Sequence, residues 1–154
     1  MMNKILTSDP MILSRAEAEK LIRSDFPSDT AVISFVDPLE KESSNRMPPD
    51  YSRVTDRCFP VRCYDLDPSC LPDVGLSTET YLPEAEKLAV FIKKAVKDGR
   101  QLICQCGYGQ SRSAACAAAI LEYYEGRGID VFADYRYYPN QLVFNKILEA
   151  LRKN

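Results

Sequence analysis

The sequence predicts an α/β protein in which a central, mostly parallel sheet is flanked by helices. Two observations predict this class: short apolar, β-branched runs alternate with segments of helical periodicity, and the alternation continues along the whole chain. The length of 154 residues is about that of one domain and allows one substantial core. We therefore expect residues 1–154 to form a single domain, with ligands bound at the carboxyl ends of the strands.

The first predicted elements are a short strand, a helix and a buried strand. We expect the short strand near Lys4 to Leu6, and a helix that Ser14 caps and that runs to about Ser24. The run Ala31–Val36 is apolar and β-branched, which is typical of a central strand covered on both faces.

A long polar stretch separates this strand from the next one. Residues 38–57 contain two adjacent prolines and little periodicity, which predicts a long surface loop. The segment Phe59–Tyr64 is expected to be a short strand, and a loop rich in aspartate and proline follows it. Pro83 then starts a helix with apolar residues at helical spacing, which stops at Gly99.

The last part of the chain is predicted to contain a strand and two helices. Gln101–Cys104 is expected to be a buried strand, and an alanine-rich helix follows from Ser113 to about Glu125. A Gly-Arg-Gly break and a stretch with several tyrosines precede a final helix at about 140–152.

The loop between that strand and the alanine-rich helix places Cys106 six residues before Arg112. Such a junction points unpaired backbone N–H groups and the positive end of the helix dipole at one concavity, which favours a bound anion such as phosphate. The same field stabilises a thiolate, so Cys106 is a candidate nucleophile. The guanidinium of Arg112 is a planar fork of donors that matches phosphoryl oxygens. Gly107 and Gly109 are expected to let the backbone turn tightly and approach the ligand.

The stretch Cys106 to Ser113 resembles the signature loop of the cysteine-dependent protein tyrosine phosphatases, and its Ser-Arg-Ser end is similar to the small dual-specificity subgroup. The resemblance implies a single catalytic domain with a dual-specificity phosphatase-like fold. It also implies that Cys106 attacks phosphorus, Arg112 clamps the phosphoryl group and Ser113 hydrogen-bonds the leaving thiolate. The phosphate-binding residues that it implies are Gly107, Tyr108, Gly109, Gln110, Ser111 and Arg112.

One residue departs from the family pattern. Gln105 stands where the family usually has a histidine, which generally orders the loop and tunes the cysteine. We expect the replacement to affect how strongly the thiolate is stabilised and to leave the geometry of the loop intact. Farther along, Pro139-Asn140 before an apolar helix resembles the end of dual-specificity phosphatase domains, so the resemblance covers roughly residues 55–150.

The resemblance also implies a carboxylic acid that protonates the leaving oxygen, on a loop after a strand and upstream of the nucleophile. Asp65, directly after the predicted strand Phe59–Tyr64, is the first candidate. Asp67 and Asp73 in the same loop are the alternatives. Each of the three also fits an ordinary turn aspartate on the surface.

Charge and hydropathy argue against several classes of partner. The net charge of −2 gives no support for a nucleic-acid partner or a polybasic membrane patch. The start of the chain lacks the apolar stretch of a signal peptide, and no window reaches the length of a membrane span. We therefore expect a cytoplasmic protein without a membrane partner.

Cysteine usage bears on cofactors and redox state. The chain has six cysteines, no histidine and no CxxC pair, so we expect neither a metal nor another cofactor. Without an export signal, the cysteines are expected to be reduced. Cys104 and Cys116 lie close in sequence to Cys106, and packing is the expected role of both, with a reversible disulfide to Cys106 as the alternative.

The predicted activity is metal-independent hydrolysis of phosphomonoesters through a phosphocysteine intermediate. The positions between Cys106 and Arg112 contain no lysine or arginine. Phosphoinositides usually need extra cations there, so phosphorylated protein is the expected substrate. A pseudophosphatase that binds phosphoproteins without turnover and a rhodanese-type sulfurtransferase stay open as alternatives. The oligomeric state and the choice between phosphotyrosine and phosphoserine or phosphothreonine also stay open.

Overall fold

The computed structural model describes residues 6–38 and 48–153. The strands are β1 Met11–Ser14, β2 Thr30–Val36, β3 Cys58–Arg62 and β4 Gln101–Cys106. The helices are α1 Arg15–Arg23, α2 Ala85–Lys97, α3 Arg112–Glu125, α4 Ile129–Phe132 and α5 Gln141–Arg152, with a 3-10 segment at Pro68–Val74. Within the described ranges, no helix is long and apolar enough to cross a bilayer.

The strands form one sheet in the order β1-β4-β2-β3, and every neighbouring pair is parallel. Helices α2 and α3 pack against one face, and α1 packs against β4 on the other. All seven residues of β2 are buried, as expected for a strand covered on both sides. The predicted α/β class, a central parallel sheet flanked by helices, is therefore confirmed.

Strand β4 and helix α3 come closer together than the sequence suggested. The strand continues through Cys106 instead of ending at Cys104, and the helix begins at Arg112 instead of Ser113. Residues 107–111 are therefore all that connects the cysteine to the arginine. Because β4 pairs with β1 on one side and β2 on the other, this short loop starts from an interior strand.

The beginning of the chain differs from the prediction. The first strand among the described residues is Met11–Ser14, which sequence reasoning missed because it is short and runs directly into α1. The predicted strand near Lys4 to Leu6 falls on residues 4 and 5, which lie outside the described residues, and Leu6 is not in a strand. Ser14 does cap α1: its hydroxyl accepts from the Glu17 N–H at 3.1 Å, and its own N–H donates to the Glu17 carboxylate at 2.9 Å.

The polar stretch 38–57 is only partly a surface loop. Residues 39–47 lie outside the described residues, and 48–57 contain neither helix nor strand. Tyr51, however, is only 3 % exposed. Its ring packs edge-on against Phe26, with 6.2 Å between ring centroids. The polar composition of the stretch therefore concealed one buried side chain.

Candidate active site

The connection between β4 and α3 is held by hydrogen bonds that four of its backbone carbonyls accept from donors outside the loop. The carbonyls of residues 106, 107, 110 and 111 accept hydrogen bonds from Gln105 Nε2 (3.0 Å), Arg15 N (3.1 Å), Tyr138 N (2.8 Å) and Asn140 N (3.3 Å). In a trans peptide the C=O and the following N–H point in opposite directions. The N–H groups of residues 107, 108, 111 and 112 therefore point away from these donors. Successive backbone N–H groups in such a loop can form an anion-binding concavity.

Gly109 is the glycine that this geometry requires. Its φ of +70° lies in the left-handed region, and a Cβ added to it would lie 2.4 Å from Ser14 N. The loop therefore packs directly against the end of β1. Gly107 has no positive φ and open space where a Cβ would be, so the turn does not require glycine at that position. A need for Gly107 in ligand approach stays a prediction.

Cys106 lies at the bottom of the loop and is 2 % exposed. Its Sγ accepts a hydrogen bond from the Gly109 N–H at 3.3 Å and lies 3.1 Å from Ser113 Oγ. Both groups can donate to a sulfur that carries negative charge. The sulfur therefore has two hydrogen-bond donors within reach, and the predicted pair of Cys106 and Ser113 is in contact.

Arg112 is 7 % exposed and is fixed by one edge of its guanidinium. Its Nη1 donates to Asp37 Oδ1 at 2.9 Å and to the Cys63 carbonyl at 2.8 Å. Its Nε is buried and has no partner among the residues that the structure describes. Burial opposes the charged form, but the negative charge of the neighbouring Asp37 helps to raise the pKa of Arg112 above its usual value. The guanidinium is thus a fixed cation with a donor left over.

Asp65 contacts the loop from the other side. Its Oδ1 accepts from Ser111 Oγ at 2.7 Å and from Asn140 Nδ2 at 2.9 Å. The same Asn140 side chain donates to the Leu66 carbonyl and caps α5, where its Oδ1 accepts from the Val143 N–H at 3.0 Å. One side chain therefore joins the start of α5 to the segment after β3.

The two alternative aspartates have other surroundings. Asp67 caps the 3-10 segment by accepting from the backbone N–H of Ser69 at 3.0 Å and from the Ser69 hydroxyl. These hydrogen bonds lower the pKa of Asp67. Asp73 lies exposed within the 3-10 segment. Of the three candidates, Asp65 is the one with a hydrogen bond to the signature loop.

Gln105 is 2 % exposed and makes three hydrogen bonds. Its Oε1 accepts from Ser34 Oγ at 2.5 Å and from Tyr51 Oη at 2.9 Å, and its Nε2 donates to the Cys106 carbonyl. A hydrogen-bonded glutamine thus stands at the position where the resembled family has a histidine.

A cavity of about 260 Å³ opens beside the loop. It is lined by Arg15, Phe35, Val36, Asp37, Pro48, Gln105, Gly107, Tyr108 and Arg112. Tyr108 is 87 % exposed, which agrees with a position at the mouth. Sequence reasoning missed Arg15 and Asp37. Asp37 had a usable signal, because it directly follows a central strand and so lies at the edge of the sheet where ligands bind.

All six cysteines are free in the structure. Cys104 and Cys116 are completely buried, and burial raises the pKa of Cys116 well above its usual value. Burial also raises the pKa of Cys63 to about 12. This burial favours packing over reaction with Cys106, and the redox alternative stays a prediction. Within the described ranges, no three metal-ligating side chains come together.

Comparison with known proteins gives a consistent class. No protein-family model matches the chain, and no curated protein matches it. Solved structures match at a TM-score of 0.56 for human DUSP28, with 17 % identity over 98 % of this chain and 94 % of that one. The PTP-2 phosphatase of Cydia pomonella matches at 0.53, with 16 % identity over 96 % and 86 %. A human tyrosine phosphatase-like serine/threonine/tyrosine-interacting protein matches at 0.55, with 17 % identity over 88 % and 83 %.

The chain has the fold of the dual-specificity phosphatases. The predicted resemblance is confirmed at the level of the fold.

Proposed function

We propose that the protein is a cysteine-dependent phosphatase that hydrolyses phosphomonoesters without a metal. In the first step the Cys106 thiolate attacks phosphorus, and the bond between phosphorus and the leaving oxygen breaks. That oxygen takes the electron pair of the bond and a proton from Asp65, which leaves a phosphocysteine.

In the second step the Asp65 carboxylate accepts a proton from water, and the oxygen of that water attacks phosphorus. The bond between sulfur and phosphorus breaks, inorganic phosphate forms, and the sulfur regains its negative charge. Ser113 Oγ at 3.1 Å and the Gly109 N–H at 3.3 Å then hydrogen-bond the thiolate. The enzyme returns to its starting protonation state.

One observation carries this proposal: the buried Nε of Arg112 has no partner in the described part of the chain, while Nη1 is fully used by Asp37 and Cys63. A buried donor without an acceptor is costly, and a phosphoryl oxygen would satisfy it. The N–H groups of residues 107, 108, 111 and 112, which point away from the donors outside the loop, would add hydrogen bonds to the same anion. Cys106 lies at the base of the loop, which supports its proposed role as the nucleophile.

The hydrogen bonds of Asp65 bear on its role as the acid. Both donors contact Oδ1, so Oδ2 is the oxygen that can carry the proton to the leaving group. Asp65 is not among the described residues that line the cavity beside the loop. This supports a second candidate, a pseudophosphatase that binds phosphorylated protein and turns it over slowly or not at all.

The deciding experiment is hydrolysis of p-nitrophenyl phosphate between pH 5 and 8 with a chelator present. We expect turnover by the wild type and none by Cys106→Ser. Turnover that survives in Cys106→Ser would contradict the mechanism. A folded, reduced wild type that binds a phosphotyrosine peptide without turnover would establish the pseudophosphatase.

The physiological substrate that we propose is a phosphorylated protein. The loop positions between Cys106 and Arg112 contain no lysine or arginine. Arg15 brings one cation to the cavity wall, but its Nε is paired with Glu19 at 3.2 Å. Comparing kcat/KM for phosphopeptides and for inositol phosphates tests this choice, and a preference for inositol phosphates would contradict it.

A further inference from the structure

The position of Gln105 in the sheet explains how a glutamine takes part in the site. Side chains of a strand alternate between its two faces, so Cys106 and Gln105 point to opposite sides of β4. Ser34 on β2 is directly opposite Gln105 in the parallel register, and both side chains are almost completely buried. The side chain of Gln105 therefore lies near the carboxyl end of β4, on the face of the sheet that α1 covers. Tyr51 packs on the same face.

Two hydroxyls and one carbonyl hold the amide of Gln105 in place. Ser34 Oγ and Tyr51 Oη can both donate, and both contact Oε1, the acceptor end of the amide. With Oε1 fixed, the donor end Nε2 is directed to the Cys106 carbonyl at 3.0 Å. If the amide were reversed, its NH2 group would meet the hydroxyls and its oxygen would meet a carbonyl oxygen. Because a carbonyl oxygen only accepts, the Cys106 carbonyl selects one orientation out of two, and the two hydroxyls hold the amide in it.

The oriented amide acts on the peptide unit that joins Cys106 to Gly107. Because that unit is planar and trans, fixing its C=O toward Gln105 turns the Gly107 N–H the opposite way. This is the first N–H of the loop after the nucleophile. If this peptide unit could turn, the Gly107 N–H would no longer be fixed as a donor to the anion.

We propose that Gln105 is a positioning residue of the signature loop, and that Ser34 and Tyr51 act through it to fix the first peptide unit after Cys106. The three uncharged side chains form a hydrogen-bonded relay that orders this peptide unit without an imidazole. Burial raises the pKa of the Tyr51 hydroxyl, so it stays a donor through the pH range of phosphatase assays. Ser34 and Gln105 do not ionise at all in that range.

A double-mutant cycle tests the relay, with Tyr51→Phe and Gln105→Met made singly and together. The first readout is the rate at which iodoacetate alkylates Cys106, followed by mass spectrometry of its peptide because Cys58 and Cys70 are also accessible. The second readout is the Kd of inorganic phosphate. Neither readout needs turnover, so both stand even if the proposed phosphatase function, on which the relay's catalytic meaning rests, fails.

We expect Tyr51→Phe to weaken phosphate binding and slow alkylation roughly five- to ten-fold, as the loss of one buried hydrogen bond does. In the Gln105→Met background, the same change should alter either quantity less than about two-fold. Ser34→Ala should behave like Tyr51→Phe. Phe26→Leu is the matched control, since it removes packing on the Tyr51 ring and leaves the hydroxyl in place.

The relay is wrong if Tyr51→Phe has the same effect with and without Gln105. It is also wrong if Tyr51→Phe lowers the Tm as Phe26→Leu does and leaves alkylation and phosphate binding unchanged, because that result describes a purely structural residue.

Discussion

The two halves of the site are built on strands of different kinds. The nucleophile loop follows β4, an interior strand with five of its six residues buried, whereas Asp65 lies just beyond β3, an edge strand with one buried residue. The loop is held by hydrogen bonds to its backbone carbonyls, three of them from backbone N–H groups of other segments, and by its fit against β1. Asp65 is held to that loop by two side-chain hydrogen bonds, from Ser111 and Asn140.

This difference teaches which half should tolerate change. A loop that is held through its backbone loses its whole conformation when an added Cβ does not fit, because the packed strands around it cannot move aside. Geometry held by exposed side-chain hydrogen bonds fails in steps, one donor at a time. Substitutions in the two halves should therefore differ in size and in whether they affect stability as well as activity.

The largest effect is expected in the loop, for Gly109→Ala. The new Cβ would lie 2.4 Å from Ser14 N at a φ of +70°. We expect kcat/KM to fall about 1,000-fold and the free energy of unfolding to fall by about 1–3 kcal/mol from backbone strain. Assays and urea titration measure the two. Gly107→Ala is the control, and equal losses in both variants would contradict the account.

The acid half comes next, through Asp65→Asn. Removing a general acid costs roughly 10²- to 10⁴-fold, and we expect about 100-fold in kcat for phenyl phosphate. The loss should be smaller for p-nitrophenyl phosphate, whose leaving oxygen needs a proton less. Asp67→Asn and Asp73→Asn are matched controls on the same segment. A loss in one of them that exceeds that of Asp65→Asn would move the acid to that residue.

A smaller effect is expected where the two halves are joined, at Asn140. Asn140→Ala removes the cap of α5 and one donor to Asp65, so stability should fall by about 1 kcal/mol and kcat several-fold. Asn140→Asp keeps a cap acceptor but puts a carboxylate beside Asp65. Kinetic assays and thermal melts should show its stability near wild type and its kcat low. Full activity in Asn140→Asp would show that the donor does not matter.

The smallest effect is expected on stability, at two ion pairs that lie far from the candidate site. Asp56 pairs with Arg100 and Asp98 with Arg57, and these arginines lower the pKa of both carboxyls. The stability that they contribute is present above the unfolded-state pKa and is lost as the pH falls through the lower folded value. Thermal melts from pH 6 to pH 3 should show a slight decline that is smaller in Asp98→Asn. An unchanged decline would contradict this, and kcat should not change.

The sequence predicted the local part of the site well and the tertiary part poorly. Cys106, Arg112 and the strand-loop-helix junction are contiguous, so one motif indicated all of them. Asp37 reaches Arg112 and Tyr51 reaches Gln105 from distant segments. Asp37 had a signal in its position after a central strand, whereas no spacing indicated the contact of Tyr51. Gln105 was visible as a departure from the family pattern, but its partners depend on the register between β2 and β4. Asp65 was predicted by position, and its role stays a prediction.

The most direct test of the central claim is to trap the covalent intermediate. The enzyme is mixed with p-nitrophenyl phosphate, quenched in acid within milliseconds and digested, and the peptide that contains Cys106 is examined by mass spectrometry. We predict phosphate on Cys106, more of it in Ser113→Ala because the leaving thiolate loses its hydrogen bond, and none in Cys106→Ser. Steady turnover with no phosphate on Cys106 in either the wild type or Ser113→Ala would contradict the account.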